Sequence, residues 1–178
     1  MSRNVTGRRA IVTGAASGIG AAAVKRLRAD GCAVLAVDVV ASGLSGTCNY
    51  VANLDDADQI PGMAAEANAK LGGLDILINN AGVCPVSPFD DMTEDQWALA
   101  LSVNVSAVMR LTRACLPMLR ASGSGRVINT GSILSRYGDA GLVAYATPNT
   151  PFLGSLGHWR LSWGATASLS TAFNPVRL

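Results

Sequence analysis

The sequence predicts an α/β protein built around a doubly wound parallel sheet. Short runs rich in aliphatic residues alternate with longer segments in which apolar residues have helical spacing. This alternation is typical of repeated strand–helix units. A glycine-rich turn joins the first predicted strand to the first predicted helix, a connection typical of the first unit of such a sheet.

The predicted elements follow each other without an internal linker. Strands are predicted at Ala10–Thr13, Ala33–Asp38, Cys48–Val51, Ile76–Asn79 and Arg126–Thr130, and helices at Ile19–Asp30, Ala57–Leu71 and Thr93–Arg120. Gly31 follows the first helix, where a left-handed terminating residue is expected. The third helix begins at Thr93 and has Gln96 three residues later, which predicts a reciprocal capping box.

Composition limits the class of protein. The chain has 178 residues, of which 49% are apolar, and a formal net charge of +2. This is enough apolar content for one core and too little charge for a nucleic-acid surface. Mean hydropathy is +0.31, but no uninterrupted apolar run reaches the roughly 18 residues of a membrane span. The basic start resembles no secretory signal, and the four cysteines have neither zinc nor disulfide spacing. We expect a cytoplasmic protein that binds no metal, nucleic acid or membrane.

The turn after the first strand reads Thr-Gly-Ala-Ala-Ser-Gly-Ile-Gly over residues 13–20. Its glycines would let the backbone approach a pyrophosphate, whose charge the amides and positive end of the following helix would meet. The residues expected to bind a nucleotide here are Gly14, Ser17, Gly18, Ile19 and Gly20. Taken alone, the turn is weak evidence for a nucleotide site, because a tight strand–helix connection explains it better; its context in the sequence strengthens the nucleotide-binding interpretation.

Asp38 adds a second nucleotide-binding signal, because it ends the second predicted strand. An acidic side chain there accepts hydrogen bonds from the hydroxyls of an adenosine ribose. It would repel a 2′-phosphate, and Val39 and Val40 offer no cation to hold one. These residues favour NAD over NADP, although Asp38 by itself also fits a solvated strand end.

The order of motifs resembles the short-chain dehydrogenase/reductase family, classical type. The glycine turn has that family's Thr-Gly-x-x-x-Gly-x-Gly form, and the Asn-Asn-Ala-Gly at residues 79–82 matches its motif after the fourth strand. Ser132 follows the fifth strand and Tyr145 comes thirteen residues later, as the family's serine and tyrosine do. The resemblance implies a Rossmann-like fold and hydride transfer between a nicotinamide cofactor and a secondary alcohol or ketone.

The resemblance also implies roles for individual residues. Tyr145 would exchange a proton with the substrate oxygen and contact the cofactor, Ser132 would hold that oxygen, and Asn104 would help to hold a water in the proton path. The residues implied beside the adenosine half of the cofactor are Asn53, Leu54, Asn80, Ala81 and Gly82. Asn53 departs from the acidic residue that is usual in the family. A small-molecule substrate and a homodimer or homotetramer are implied as well.

The sequence departs from the family pattern after Thr147. Family members have a lysine four residues after the tyrosine, but here Asn149 stands at that position beside Pro148, which disfavours a helix. A phenol of ordinary pKa is only about 0.1% ionised at pH 7, so a neighbouring cation is needed to stabilise the phenolate. Residues 148–178 contain no Asp or Glu and show neither helical nor strand periodicity.

A shifted reading frame after Thr147 would account for this change, because the shifted codons permit a lysine at this point followed by a helical run. We therefore expect residues 1–147 to form an NAD-binding core and residues 148–178 to form an aberrant, poorly ordered tail. The chain would be truncated relative to the family and its sheet incomplete at the C-terminal side, with Arg126–Thr130 as an exposed edge strand. Two functions stay open: an oxidoreductase of this family, or an impaired remnant or nucleotide-binding module without turnover.

Overall fold

A six-stranded parallel sheet forms the centre of the molecule, in a computed structural model that describes residues 5–44, 46, 48–135, 139–148 and 168–174. The strands are β1 Arg9–Thr13, β2 Ala33–Asp38, β3 Asn49–Val51, β4 Ile76–Asn79, β5 Arg126–Ser132 and β6 Ser168–Asn174. Their order is β3-β2-β1-β4-β5-β6, and every neighbouring pair is parallel. The strand order reverses between β1 and β4, so the predicted doubly wound, Rossmann-like fold class is confirmed.

Helices cover both faces of this sheet. They are α1 Gly18–Ala29, α2 Gln59–Leu71, α3 Glu94–Leu101 and α4 Ala107–Ala121, and residues 143–148 are also helical. Alternate residues of β1 enter different cores: Ala10 and Val12 pack with Val24 of α1, whereas Ile11 packs with Met63 of α2 and Leu111 of α4. Because β1 is buried on both faces, its sequence is an uninterrupted apolar run.

The third predicted helix is divided. A π-helical segment, Ser102–Ser106, separates α3 from α4, where the sequence predicted one continuous helix from Thr93 to Arg120. The predicted capping box is present, since Thr93 Oγ1 accepts from the Gln96 amide at 3.2 Å and Gln96 Oε1 accepts from the Thr93 amide at 3.0 Å. Gly31 has the predicted positive φ, 82°. Local sequence therefore determined the helix ends, but not the interruption.

The stretch Glu94–Ala121 has 28 residues and is apolar and long enough, by those two criteria alone, to cross a membrane. In the structure, Leu111, Cys115 and Leu119 of this stretch are fully or almost fully buried in the core beneath the sheet. Packing against the sheet accounts for the apolar residues of this buried face, while 33% of the most apolar window is buried inside the structure.

The strand β6 corrects two expectations about the C-terminal region. No strand was predicted after Thr147, yet Ser168–Asn174 pairs with all seven residues of β5, from Arg126 with Ser168 to Ser132 with Asn174. β5 is therefore not an edge strand, and its backbone groups on that side are hydrogen-bonded. Other parts of the predicted tail, residues 149–167 and 175–178 with Asn149 among them, lie outside the described residues.

An ion pair at the amino ends of the strands joins β1 to β4. The Asp75 carboxylate, which is buried, accepts from the Arg9 amide and from Arg9 Nε, both at 2.9 Å, and from Arg9 Nη2 at 3.1 Å. Hydrogen bonding from the Arg9 guanidinium holds the pKa of Asp75 below its ordinary value of 3.8. The charged form of Asp75 is thus part of the folded sheet.

Replacing this carboxylate is expected to weaken the fold. Asp75→Asn should lower the free energy of unfolding by about 1–3 kcal/mol at pH 7, because charged hydrogen bonds to a partly buried guanidinium are lost. Since folding lowers the pKa of Asp75, the contribution is fully present above the ordinary pKa of 3.8 and declines as the pH falls below it. Urea denaturation between pH 7 and pH 3 measures both effects.

The exposed pair Arg26–Asp30 provides the control, because its side chains are 79% and 39% exposed. Asp30→Asn should change stability much less than Asp75→Asn. An equal decrease in the free energy of unfolding in the two variants would show that the Arg9–Asp75 pair stabilises the fold no more than an exposed pair does.

Candidate active site

A cleft of about 710 Å³ lies at the carboxyl ends of β1, β2, β4 and β5. The predicted site residues that line it are Gly14, Ser17, Gly18, Ile19, Asp38, Asn53, Leu54, Asn80, Ala81, Gly82, Asn104 and Tyr145. Gly20 and Ser132 are not among the lining residues. The structure thus brings the glycine turn, the end of β2 and the tyrosine together at the point where the strand order reverses, the usual ligand position in such sheets.

The glycine turn is closed by contacts that exclude side chains. Gly14 has a φ of +64°, and a Cβ added to it would lie 2.9 Å from the Ala81 Cα. A Cβ on Gly20 would overlap the Gly14 carbonyl, so Gly20 serves packing beneath the turn, which explains why it does not line the cleft. Gly18 has a φ of +52° with open space around it. Glycines at positions 14 and 20 bring the turn onto β4, and Gly18 leaves its outer side accessible.

The first turn of α1 suits an anion. Ser17 is the N-cap, with extended backbone and no capping hydrogen bond from its side chain. No acidic residue stands in the first helical turn. The amides of that turn and the positive end of the helix dipole therefore face the cleft beside Ile19, which is 46% exposed. A helix N-terminus of this kind is a common binding position for phosphate groups.

Asp38 fastens the glycine turn to the end of β2. Its carboxylate accepts from the Ala16 amide at 2.9 Å and from the Val40 amide at 3.2 Å. This structural role of Asp38 was not predicted from the sequence. Because each carboxylate oxygen can accept more than one hydrogen bond, Asp38 keeps acceptor capacity on the cleft side.

Asn53 and Leu54 form the wall next to β3. The Asn53 side-chain oxygen accepts a hydrogen bond from the backbone amide of Asp55 at 3.0 Å. The backbone amide of Asn53 donates to Gln59 Oε1 at 2.8 Å. Leu54 packs against the core that contains α2. The Asn53 side chain therefore begins the turn into α2, a role that an aspartate at this position would fill with the same oxygen.

Thr13 and Asn80 clamp β1 to β4. The Thr13 hydroxyl accepts from the amides of Asn80 and Ala81, both at 3.0 Å, while Asn80 Nδ2 donates to the carbonyls of Thr13 at 3.1 Å and Gly14 at 3.3 Å. Thr130 Oγ1 donates to Asn80 Oδ1 at 3.3 Å, which extends the link to β5. This role of Thr13 was missed in the sequence, although its place at the start of the glycine motif was a usable signal.

Asn104 lies in the π-helical segment and bonds the loop after β4. Asn104 Oδ1 accepts from the Val83 amide at 2.9 Å, and Asn104 Nδ2 donates to the Val83 carbonyl at 2.9 Å. A Cβ on Gly82 would lie 3.2 Å from Asn104 Oδ1, so a glycine permits this approach. The paired bonds hold Val83 and Cys84 in the cleft wall. Burial raises the pKa of the Cys84 thiol, so little thiolate is present at neutral pH.

Ser132 and Tyr145 occupy different environments. Ser132 is 0% exposed, and its hydroxyl accepts from the Leu134 amide at 3.2 Å. Tyr145 is half-buried and lines the cleft from the helix at 143–148. The structure therefore places Tyr145 and Asn104 in the cleft wall, with Ser132 buried at the end of β5. In the part of the chain that the structure describes, no three His, Cys, Asp or Glu side chains form a metal site.

Residues 8–148 match the family model for short chain dehydrogenases. The chain belongs to the short-chain dehydrogenase/reductase family. Members of this family are NAD(P)-dependent oxidoreductases with small-molecule substrates.

Individual short-chain dehydrogenase relatives agree with this assignment. The chain is 31% identical over 164 residues to the 3-oxoacyl-(acyl-carrier-protein) reductase of Thermotoga maritima, covering 86% of this chain and 67% of that protein. The crystal structure of a blue fluorescent protein from a metagenomic library, in complex with NADPH, is 31% identical with a TM-score of 0.85, covering 95% of this chain and 74% of that one.

A second solved structure, NAD+-bound xylitol dehydrogenase, shares the fold. Its TM-score is 0.88 at 22% identity, covering 97% of this chain and 72% of that one. The chain spans about two thirds of the length of the curated relatives it matches.

The Asn104–Val83 pair gives a prediction that needs no activity assay. Asn104→Ala should free the backbone at Val83 and relieve the partial desolvation that raises the pKa of the neighbouring, exposed Cys84 thiol, so its reaction with a disulfide reagent should be faster. Two hydrogen bonds are lost, so the free energy of unfolding should also fall by about 1–3 kcal/mol. Thiol labelling under native conditions and urea denaturation measure the two effects.

Ser106→Ala, in the same π-helical segment, is the matched control and should leave the Cys84 labelling rate unchanged. An unchanged rate in Asn104→Ala as well would show that Asn104 does not hold this wall of the cleft.

Proposed function

We propose that this chain binds NAD(H) in the cleft and interconverts a secondary alcohol and a ketone by hydride transfer. The single observation that supports this most is the shared cleft: the glycine turn, Asp38 and Tyr145 all line one cavity at the strand-order reversal. A binding site for a nucleotide and a proton-transfer group therefore open onto the same space.

The residues of the nucleotide end have separable tasks. The Ser17–Gly18 region would receive the pyrophosphate on backbone amides, with Gly18 leaving room for close approach. Asp38 would accept from ribose hydroxyls while still holding the Ala16 amide. The bound nicotinamide supplies the hydride chemistry. Asn53 and Leu54 would form the wall against adenine.

The other end of the cleft would manage the proton. Tyr145 would donate a proton to the substrate oxygen during reduction and accept it during oxidation. Ser132, buried beside this end, would hold the substrate oxygen only if the end of β5 opens locally, because its hydroxyl is fully enclosed. Asn104 would fix the opposite wall through Val83. The substrate would be a small-molecule secondary alcohol or ketone.

Removing the Tyr145 hydroxyl tests this function. Tyr145→Phe should reduce kcat by about 10²–10⁴-fold, because the general acid–base is lost. NAD+ affinity should fall far less. Turnover is measured by absorbance of the reduced nicotinamide with a panel of secondary alcohols, and affinity by calorimetry. Tyr50→Phe is the matched control, because the Tyr50 hydroxyl lies against Gly62, away from the cleft.

A second candidate function, nucleotide binding without turnover, is favoured by the sequence, because the uncharged Asn149 stands four residues after the tyrosine, where the family pattern has a lysine. Calorimetric binding of NAD+ with no turnover by the natural chain would support this candidate, and restoration of turnover in Asn149→Lys would assign the loss to that residue. If the natural chain neither binds NAD+ nor shows turnover, it is an impaired remnant. The proposed shift of reading frame after Thr147 would be tested by sequencing the gene.

The preference for NAD over NADP is a further part of the proposal. It is supported by Asp38 and by Val39, which lines the cleft and is 60% exposed. Substituting Asp38 would disturb the glycine turn through the Ala16 amide, so position 39 gives the cleaner test. A cation there could pair with a 2′-phosphate without changing the backbone links.

Val39→Arg should shift the ratio of NADP+ to NAD+ affinity toward NADP+ by about 10- to 100-fold, since an arginine–phosphate pair is a charge-assisted interaction. The shift should shrink at high salt. Val51→Arg adds the same charge at a 52% exposed position that does not line the cleft, and should leave the ratio unchanged. Tighter binding of NADP+ than NAD+ by the natural chain would overturn the preference.

A further inference from the structure

Residues 83–87, in the loop after β4, are fastened to other parts of the protein at both ends. At the first residue, Val83 forms two backbone hydrogen bonds with the side chain of Asn104 in the π-helical segment. At the last residue, the Ser87 amide donates to the Gly141 carbonyl at 2.9 Å. This segment, called the strap below, therefore joins the π-helical wall of the cleft to the chain just before the helix at 143–148.

The strap is extended and conformationally restricted. Val83, Pro85 and Ser87 are half-buried, and the two residues between them are exposed. This alternation is typical of an extended chain with one side against the protein. Pro85 lies within the strap and Pro88, with a φ of −50°, follows it directly. Proline rings fix their own φ and restrict the preceding residue to extended conformations. The two ends of the strap are therefore held at a nearly constant separation.

The turn that receives the strap leads directly into the helix that carries Tyr145. The Leu142 amide donates to the Asp139 carbonyl at 3.3 Å, and Gly141 between them has a φ of +75°, a conformation that favours glycine. The Leu142 carbonyl accepts from the amides of Tyr145 at 3.1 Å and Ala146 at 2.8 Å. The first hydrogen-bonded turn of this helix therefore begins at the residue next to the one that the strap holds.

We propose that the strap positions Tyr145 relative to Asn104 across the cleft, with Ser87 and Gly141 as the positioning residues. Neither of these two residues lines the cleft, so they act through Tyr145. The catalytic consequence rests on the proposed function. A proton-transfer group must lie within hydrogen-bond reach of the substrate oxygen, and a misplacement of about 1 Å can reduce the rate about 100-fold.

Removing the hydrogen bond at the end of the strap tests whether it holds the helix. Ser87→Pro removes the amide that donates to Gly141. Amide hydrogen exchange, measured by NMR on the full chain, should become about 2- to 10-fold faster at Tyr145 and Ala146, since one hydrogen bond of ordinary strength is lost. Ser87→Ala is the matched control. It keeps the amide, removes only the side-chain bond to the Pro88 carbonyl, and should leave both exchange rates unchanged.

Straining the turn tests the same link from its other side. A Cβ at Gly141 would lie 3.5 Å from the Ser87 carbonyl oxygen, an ordinary contact, so Gly141→Ala introduces backbone strain without overlap. Exchange at Tyr145 and Ala146 should become about 5- to 30-fold faster, because a left-handed conformation is unfavourable for alanine. Gly7→Ala is the matched control. Gly7 has a φ of +74° with open space around it and precedes β1, at the end of the sheet opposite the cleft.

Kinetics separates positioning from a general loss of stability. In Gly141→Ala, kcat with a panel of secondary alcohols should fall by about 10- to 100-fold, while the Kd for NAD+ measured by calorimetry stays unchanged. Gly7→Ala should change neither quantity. If the natural chain shows no turnover, the proposed oxidoreductase function fails, and the exchange measurements alone decide whether the strap holds Tyr145.

The proposal is overturned if exchange at Tyr145 and Ala146 keeps its natural rate in Ser87→Pro and Gly141→Ala, or if Gly7→Ala speeds it equally. Equal changes in kcat and in NAD+ affinity would also overturn it, because the strap would then stabilise the whole cleft. If neither variant folds, the natural chain decides. The amides of Ser87, Tyr145 and Ala146 should then show the same dependence of exchange on urea, as one opening unit, and different dependences would contradict the link.

Discussion

The link between Thr13 and Asn80 is the interaction on which the candidate site depends. Two adjacent parallel strands that are not consecutive in the chain must end at the same height for a cleft to form where the strand order reverses. Four hydrogen bonds join the ends of β1 and β4. The Thr13 hydroxyl accepts two of them from backbone amides, and the side-chain amide of Asn80 donates the other two to backbone carbonyls. Gly14 lies directly on this link, so the glycine turn, and with it the start of α1, takes its position from the clamp.

Two further links join the remaining walls to this clamp. Asp38 connects β2 to the turn through the Ala16 amide, and Asn104 connects the π-helical segment to the loop after β4 through Val83. Each link is a side chain bonding to backbone, so it constrains where a wall lies without filling the cleft. Backbone amides satisfied in this way also avoid the cost of burying polar groups without partners. The cavity is thus bounded by rigid walls while its interior stays open.

Much of the fold followed from local sequence, because strand and helix signals here are short-range. Ala33–Asp38 and Ile76–Asn79 were predicted to the residue, and the capping box at Thr93 defined the start of α3. The π-helical segment was not predictable from spacing, because it arises where Asn104 reaches a backbone in another part of the chain. β6 was missed for a related reason: its small and polar residues carry no apolar alternation, and pairing with β5 gives it strand structure. In the site, residue identities were found by motif, while the buried position of Ser132 and the link from Asp38 to the turn required the three-dimensional structure.

The anchoring of Asp38 has a consequence for how such a site changes over evolutionary time. The loop after β2 packs so closely on the glycine turn that a Cβ on Gly43 would overlap the Ala16 carbonyl. A change that moves the backbone of one loop would therefore disturb the other loop as well. The side chain of Val39, in contrast, projects from this backbone and is 60% exposed. In the proposed function, a single codon change at such a position would alter what the cleft recognises without a compensating change elsewhere. The backbone contacts of the turn do not involve the side chain at position 39, so substitutions there would leave these contacts in place while changing the surface of the cleft.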